Sequence, residues 1–79
     1  MEVKLYTYRF CPYCQSVRQA FEDMDIEYEE IYSEPGKPTH EELIALGGKA
    51  QVPFLVHGDV KMYESDDIID YARRHLTSY

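Results

Sequence analysis

Hydrophobic and polar positions alternate at the start of the chain, Val3, Leu5 and Thr7 against Lys4, Tyr6 and Tyr8, with no Gly or Pro among them. A period of two in β-favouring residues predicts a strand over Glu2–Tyr8. The period then changes. Val17, Ala20, Phe21 and Met24 fall at i, i+3, i+4 and i+7, and Pro12 suits a first helical position, so a helix is predicted from Pro12 to about Asp23. Alternation returns with Ile26 and Tyr28 against Glu27 and Glu29, predicting a second strand that ends at Tyr32. Short links in a β, α, β order imply a parallel pair joined by a right-handed crossover. After a loop at Ser33–Pro38, Thr39 and Glu42 have capping-box spacing ahead of Leu43, Ile44 and Leu46, and Gly47-Gly48 ends a short helix. Phe54–His57 and Val60–Tyr63 read as brief strands around a Gly58-Asp59 hairpin turn. In the last helix Ser65 is the expected N-cap, Asp66 and Asp67 lie at the positive end, and Arg73, Arg74 and His75 lie at the negative end. Ile68, Ile69, Ala72 and Leu76 form its buried stripe. The order βαβαββα defines an α/β chain, with no repeat or linker to divide it, so residues 1–79 read as one domain.

Composition agrees with an ordered domain: 44% of residues are hydrophobic, and eight tyrosines supply packing material that a disordered tail lacks. Acidic residues outnumber basic ones by 15 to 8, a net charge of -7 that repels nucleic acid and anionic membranes at long range and favours solubility. No stretch approaches the ~20 apolar residues of a membrane span, and the N-terminal residues enter a strand pattern rather than a signal peptide. The expected setting is cytoplasmic and the expected state a monomer.

Two cysteines in a reducing compartment need a chemical explanation rather than a structural one. Cys11-Pro12-Tyr13-Cys14 sits where the first strand meets the first helix, so Cys11 is expected beside unpaired backbone N–H groups that stabilise a thiolate. Thiols so placed have pKa values of about 3.5–7.5, which makes Cys11 the expected nucleophile at neutral pH. Cys14, one turn deeper on the same face, is the expected resolving thiol. Half of a zinc site is the bland alternative, but His40, His57 and His75 are 17 or more residues apart instead of three to five, so no metal site is expected.

Three motifs carry a family resemblance over nearly the whole chain. Lys4-Leu5-Tyr6-Thr7-Tyr8-Arg9-Phe10 followed by C-P-Y-C resembles a glutaredoxin amino terminus. Gln51-Val52-Pro53 is similar to that family's T/Q-V-P element, in which the proline is cis and faces the cysteines. Met62–Ile68 resembles the glutathione site of transferase N-terminal domains and of the glutaredoxins nearest to them. The resemblance implies a thioredoxin-like (glutaredoxin) fold, a four-stranded mixed sheet flanked by helices. It implies a thiol-disulfide oxidoreductase that takes glutathione as co-substrate, holds no tightly bound cofactor, and acts on glutathionylated or disulfide-bonded proteins.

Each motif also has a physical reading under that resemblance. A ladder interrupted at Pro53 leaves the Val52 backbone free to pair with the cysteinyl part of glutathione. Ser65 at a helix N-terminus suits the γ-glutamyl carboxylate, Glu64 suits the adjacent ammonium, and Tyr13 lies between the cysteines to pack on the tripeptide. Many glutaredoxins carry Lys or Arg three residues before the first cysteine, where Tyr8 stands here, which leaves Arg9, Lys49 and Gln51 as candidates for the glycyl carboxylate. The alternatives are a thioredoxin-like reductase served by another thiol or by a protein reductase, and an iron–sulfur carrier, for which Pro12 is unfavourable. A transferase role ranks lower, because transferases draw the electrophile pocket largely from a helical second domain.

Overall fold

The computed structural model describes residues 2–77. Its elements are β1 (Val3–Thr7), α1 (Pro12–Asp23), β2 (Glu29–Tyr32), α2 (Pro38–Gly47), β3 (Phe54–His57), β4 (Val60–Met62) and α3 (Ser65–His75). They form one mixed sheet in the order β2-β1-β3-β4, with β1 parallel to β2 and antiparallel to β3, as the expected thioredoxin-like fold requires.

Alternation along β1 sorts the core into two layers. Val3 and Leu5 join Val17 and Phe21 of α1, Leu55 of β3, and Ile68 and Ala72 of α3 on one face. Tyr6 points to the other face, where it packs with Leu43 of α2 and Phe54. Leu5, Val17, Phe21, Leu43 and Phe54 are fully buried, and burying such side chains contributes about 1.5–3 kcal/mol each. The sheet is thus clamped between α1 with α3 and α2, and β1 is covered on both sides.

Five elements depart from the sequence pattern at a boundary or a cap. The first strand is Val3–Thr7 rather than Glu2–Tyr8, because pairing with β2 ends at Thr7↔Tyr32. β2 begins at Glu29, not Ile26: α1 ends in a turn where Ile26 N–H donates to Phe21 O at 2.9 Å and Asp25 takes φ 56°. Ile26 and Tyr28 still pack on the core from that turn. The capping box at Thr39 and Glu42 does not form. Pro38 takes the first helical position and Lys37 the cap, so Thr39 Oγ1 donates instead to Tyr32 O at 2.6 Å, and Glu42 accepts the Tyr6 hydroxyl. β4 stops at Met62, and the cap of α3 is Glu64, with Ser65 already the first helical residue. Gly48 closes α2 in the left-handed region at φ 87°, a conformation glycine accepts without a Cβ clash.

Candidate active site

The end of β1 and the start of α1 set the two sulfurs. Cys11 occupies the N-cap with extended backbone (φ -131°, ψ 116°), and Pro12 follows at N1, where no N–H is needed. Its sulfur accepts the backbone N–H of Cys14 at 3.4 Å, as a cap oxygen would, and the residue is half-buried. Cys14 is fully buried, so the two thiols differ in exposure. Burial, with help from the Cys11 hydrogen bond, pushes the Cys14 thiol up to about 12, opposed by the backbone N–H of Tyr8 and the charge of Arg18. Phe10 and Tyr13 stand on either side of Cys11, exposed at 93% and 68%.

A cleft of about 440 Å³ opens beside this corner. Its walls are Tyr13, Gln51, Val52, Pro53, Tyr63, Glu64, Ser65 and Asp66. The antiparallel register Tyr6↔Phe54 brings the residues before Phe54 alongside those after Tyr6, which delivers Val52-Pro53 to the cysteine end of β1. The Val52–Pro53 bond is cis, as the resemblance implied. Among the described residues no backbone hydrogen bond engages Val52. On the opposite wall the first turn of α3 contributes Ser65 and Asp66, and Gln51 Nε2 donates to Glu64 Oε1 across the mouth at 3.3 Å.

Six of the sequence-predicted residues therefore meet in one cleft: Tyr13, Gln51, Val52, Pro53, Glu64 and Ser65. Arg9 is placed elsewhere. Its guanidinium lies 5.3 Å from the centre of the Tyr32 ring, while its N–H donates to Glu34 Oε2 at 2.6 Å. That bond holds the Glu34 carboxyl below its ordinary range, and Glu34 Oε1 is buried without a partner among the described residues. Tyr63 and Asp66, which the Met62–Ile68 resemblance takes in without giving either a role, line the cleft on both sides of the Glu64-Ser65 pair. Tyr63 is fixed by its hydroxyl, which donates to Lys49 O at 3.0 Å and accepts Lys49 N–H at 3.1 Å, and Lys49 Nζ stands 5.3 Å over the ring. Among the described residues no group of three or more His, Cys, Asp and Glu side chains is placed to hold a metal ion.

The family model for the glutathione S-transferase N-terminal domain matches residues 5–76, which takes in both cysteines and every wall of the cleft. This chain belongs to that family. Solved transferase structures agree with the assignment. A diazinon-metabolizing glutathione S-transferase of the silkworm Bombyx mori is 26% identical over 96% of this chain, with a TM-score of 0.83. Glutathione transferase Omega 3C of Trametes versicolor is 26% identical over 94% (TM-score 0.84). A glutathione S-transferase-I bound with lactoylglutathione is 28% identical over 94% (TM-score 0.79). The chain spans 38%, 33% and 36% of the length of these three proteins. No curated protein sequence matches it. The expected likeness to transferase N-terminal domains is met at the level of fold and family.

Proposed function

We propose that this transferase-family domain is a glutathione-dependent thiol-disulfide oxidoreductase of the glutaredoxin kind, with Cys11 as nucleophile and Cys14 as resolving thiol. The observation that carries the reading is the unequal pair: a reachable Cys11 sulfur at a helix N-terminus, held by the Cys14 N–H, with Cys14 fully buried one turn behind it. An N–H donor at the positive end of a helix suits a sulfur that gains negative charge during thiol exchange.

The cleft supplies a seat for glutathione. The unengaged Val52 backbone pairs with the cysteinyl unit, the first turn of α3 at Ser65 takes the γ-glutamyl carboxylate, and Glu64 with Asp66 takes the ammonium. Gln51 lines the cleft and Lys49 stands over Tyr63, which favours these two over Arg9, stacked on Tyr32, for the glycyl carboxylate. Cys11 thiolate attacks the glutathione sulfur of a protein mixed disulfide; the Cys11–glutathione bond forms, the protein–glutathione bond breaks, and the protein thiolate leaves with the electron pair. A second glutathione then attacks, releasing glutathione disulfide and restoring Cys11. The partners of this cycle are glutathionylated or disulfide-bonded proteins in a reducing, cytoplasmic setting.

Assay of a glutathionylated protein with Cys11→Ser and Cys14→Ser variants tests the reading. Loss of activity in the first and retention in the second is the expected result; equal activity of the two refutes the roles. The kinship with whole transferases supports a second reading, conjugation of glutathione to an electrophile. A chlorodinitrobenzene conjugation assay separates the two, because the redox reading predicts turnover of the mixed disulfide with little conjugation.

A further inference from the structure

Arg18 takes no part in the cycle above, yet it is the most heavily engaged side chain near the cysteines. It lies one turn beyond Cys14 on α1, its side chain only 16% exposed. Nε donates to Glu30 Oε2 on β2, Nη2 donates to Tyr8 O at 2.9 Å, and Nη1 donates to Gln15 Oε1 at 3.2 Å. The guanidinium also lies 6.0 Å from the centre of the Tyr32 ring. Glu30 Oε2 accepts the hydroxyl of buried Thr7 at 2.8 Å as well, so the ion pair is tied to the end of β1. Tyr8 bears on both groups, since its carbonyl accepts from Arg18 while its backbone favours the Cys14 thiolate.

We propose that Arg18 is a positioning residue for the resolving half of the redox cycle: seated by the Tyr8 carbonyl and Gln15, with part of its charge offset by Glu30, it keeps a fixed positive charge one helical turn from Cys14 and so favours the Cys14 thiolate. The groups acting on Cys14 are Cys11 and Arg18 on α1 and Tyr8 after β1, and burial opposes its ionisation most strongly. Of these only Arg18 brings a permanent positive charge. Glu30 acts through Arg18, as the carboxylate that offsets that charge. In the resolving step Cys14 loses its proton to solvent and attacks the Cys11 sulfur of a mixed disulfide. The Cys11–Cys14 bond forms, the bond to the substrate sulfur breaks, and that sulfur leaves with the electron pair. The enzyme pair is oxidised by two electrons and the substrate is reduced.

The test follows this step directly and rests on the reading of Cys11 and Cys14 as a redox pair. Cys11 of the full chain is converted to its mixed disulfide with thionitrobenzoate, and release of the coloured thiolate by Cys14 is timed across pH. Arg18→Gln is expected to displace the rate profile upward by about one pH unit, and greater nucleophilicity of the more basic thiolate offsets part of the loss, leaving release about three- to fourfold slower at neutral pH. Glu30→Gln exposes Cys14 to a less compensated charge, so release becomes faster, whereas Arg18→Lys stays near wild type. Deglutathionylation in a Cys14→Ser background is expected to change less than about twofold on adding Arg18→Gln, because Cys14 plays no part there. Slowing by both Arg18→Gln and Glu30→Gln, or equal slowing by Arg18→Lys and Arg18→Gln, overturns the proposal in favour of a purely structural ion pair. If Arg18→Gln does not fold, the sign of the Glu30→Gln effect decides alone. A wild type that never releases the chromophore overturns the redox pair itself, while wild-type release with the wrong signs overturns only the role of Arg18.

Discussion

Replacing Gly47 by alanine tests how the cleft wall is held. A Cβ at that position meets Tyr63 Oη at 2.0 Å, Tyr63 Cζ at 2.6 Å and Phe54 Cε1 at 3.0 Å. Carbon contacts settle near 3.5–4.0 Å, so the Tyr63 ring has to withdraw by roughly 1.5 Å. A displacement of that size breaks both hydrogen bonds of its hydroxyl to Lys49, worth about 1 kcal/mol each. It also disturbs the Phe54–Tyr63 pair, whose centroids lie 4.6 Å apart, at a cost of about 0.5–1.5 kcal/mol. Alanine returns up to about 1 kcal/mol through helix propensity. The net loss is about 2–3 kcal/mol once crowding against Phe54 is included. For a domain of this length that lowers the thermal midpoint by about 10–20 °C. Urea denaturation of Gly47→Ala, Tyr63→Ala and the double variant measures the coupling. In the Tyr63→Ala background the alanine should be neutral or mildly stabilising. A Gly47→Ala protein as stable as wild type, or a penalty that persists without the tyrosine ring, refutes the reasoning.

Two further predictions concern the site and its titration. Ser65→Ala should raise the KM for glutathione about three- to tenfold while leaving the thermal midpoint nearly unchanged, because among the described residues its hydroxyl has no hydrogen-bond partner in the protein; steady-state kinetics and a melting curve read the two effects. Stability should fall in base: burial pushes the Cys14 thiol from 9.0 up to about 12 and also raises the Tyr6, Tyr8 and Tyr28 phenols. The folded protein therefore holds these protons more tightly than the unfolded chain does, so the stabilisation is complete below about pH 9 and is lost as pH rises toward 12. Urea midpoints under reducing conditions from pH 7 to base measure this, and a Cys14→Ala variant with the same slope as wild type contradicts it.

Local features were legible in the sequence, and features closed through space were not. The bounds of α1 follow from Pro12 and a clean helical stripe, and β3 follows from its turn, so both were read correctly. Cys11 and Cys14 were placed because a three-residue spacing at a strand-to-helix junction is itself local geometry. The cap of α2 was misread because Thr39 and Glu42 have partners elsewhere, Tyr32 O and the Tyr6 hydroxyl, and the second lies 36 residues away in sequence. Arg18 carried no signal at all, since its meaning depends on Glu30 arriving from another strand. Tyr63 likewise looks like an ordinary strand residue until Gly47 is found beneath it.

The antiparallel register of β1 with β3 has a consequence for how such chains can drift in length. Every ladder partner from Val3↔His57 to Tyr6↔Phe54 keeps Val52 and Pro53 abreast of the cysteine corner. One codon gained or lost in either strand slides that alignment by about 3.3 Å and turns alternate side chains to the other face. Growth is tolerated instead at the far end of the same ladder, where exposed Gly58 and Asp59 join β3 to β4. A peptide grafted between them leaves the cysteine corner in place, so descendants of this domain are free to vary there while the end that carries Cys11 and Val52 keeps a fixed length.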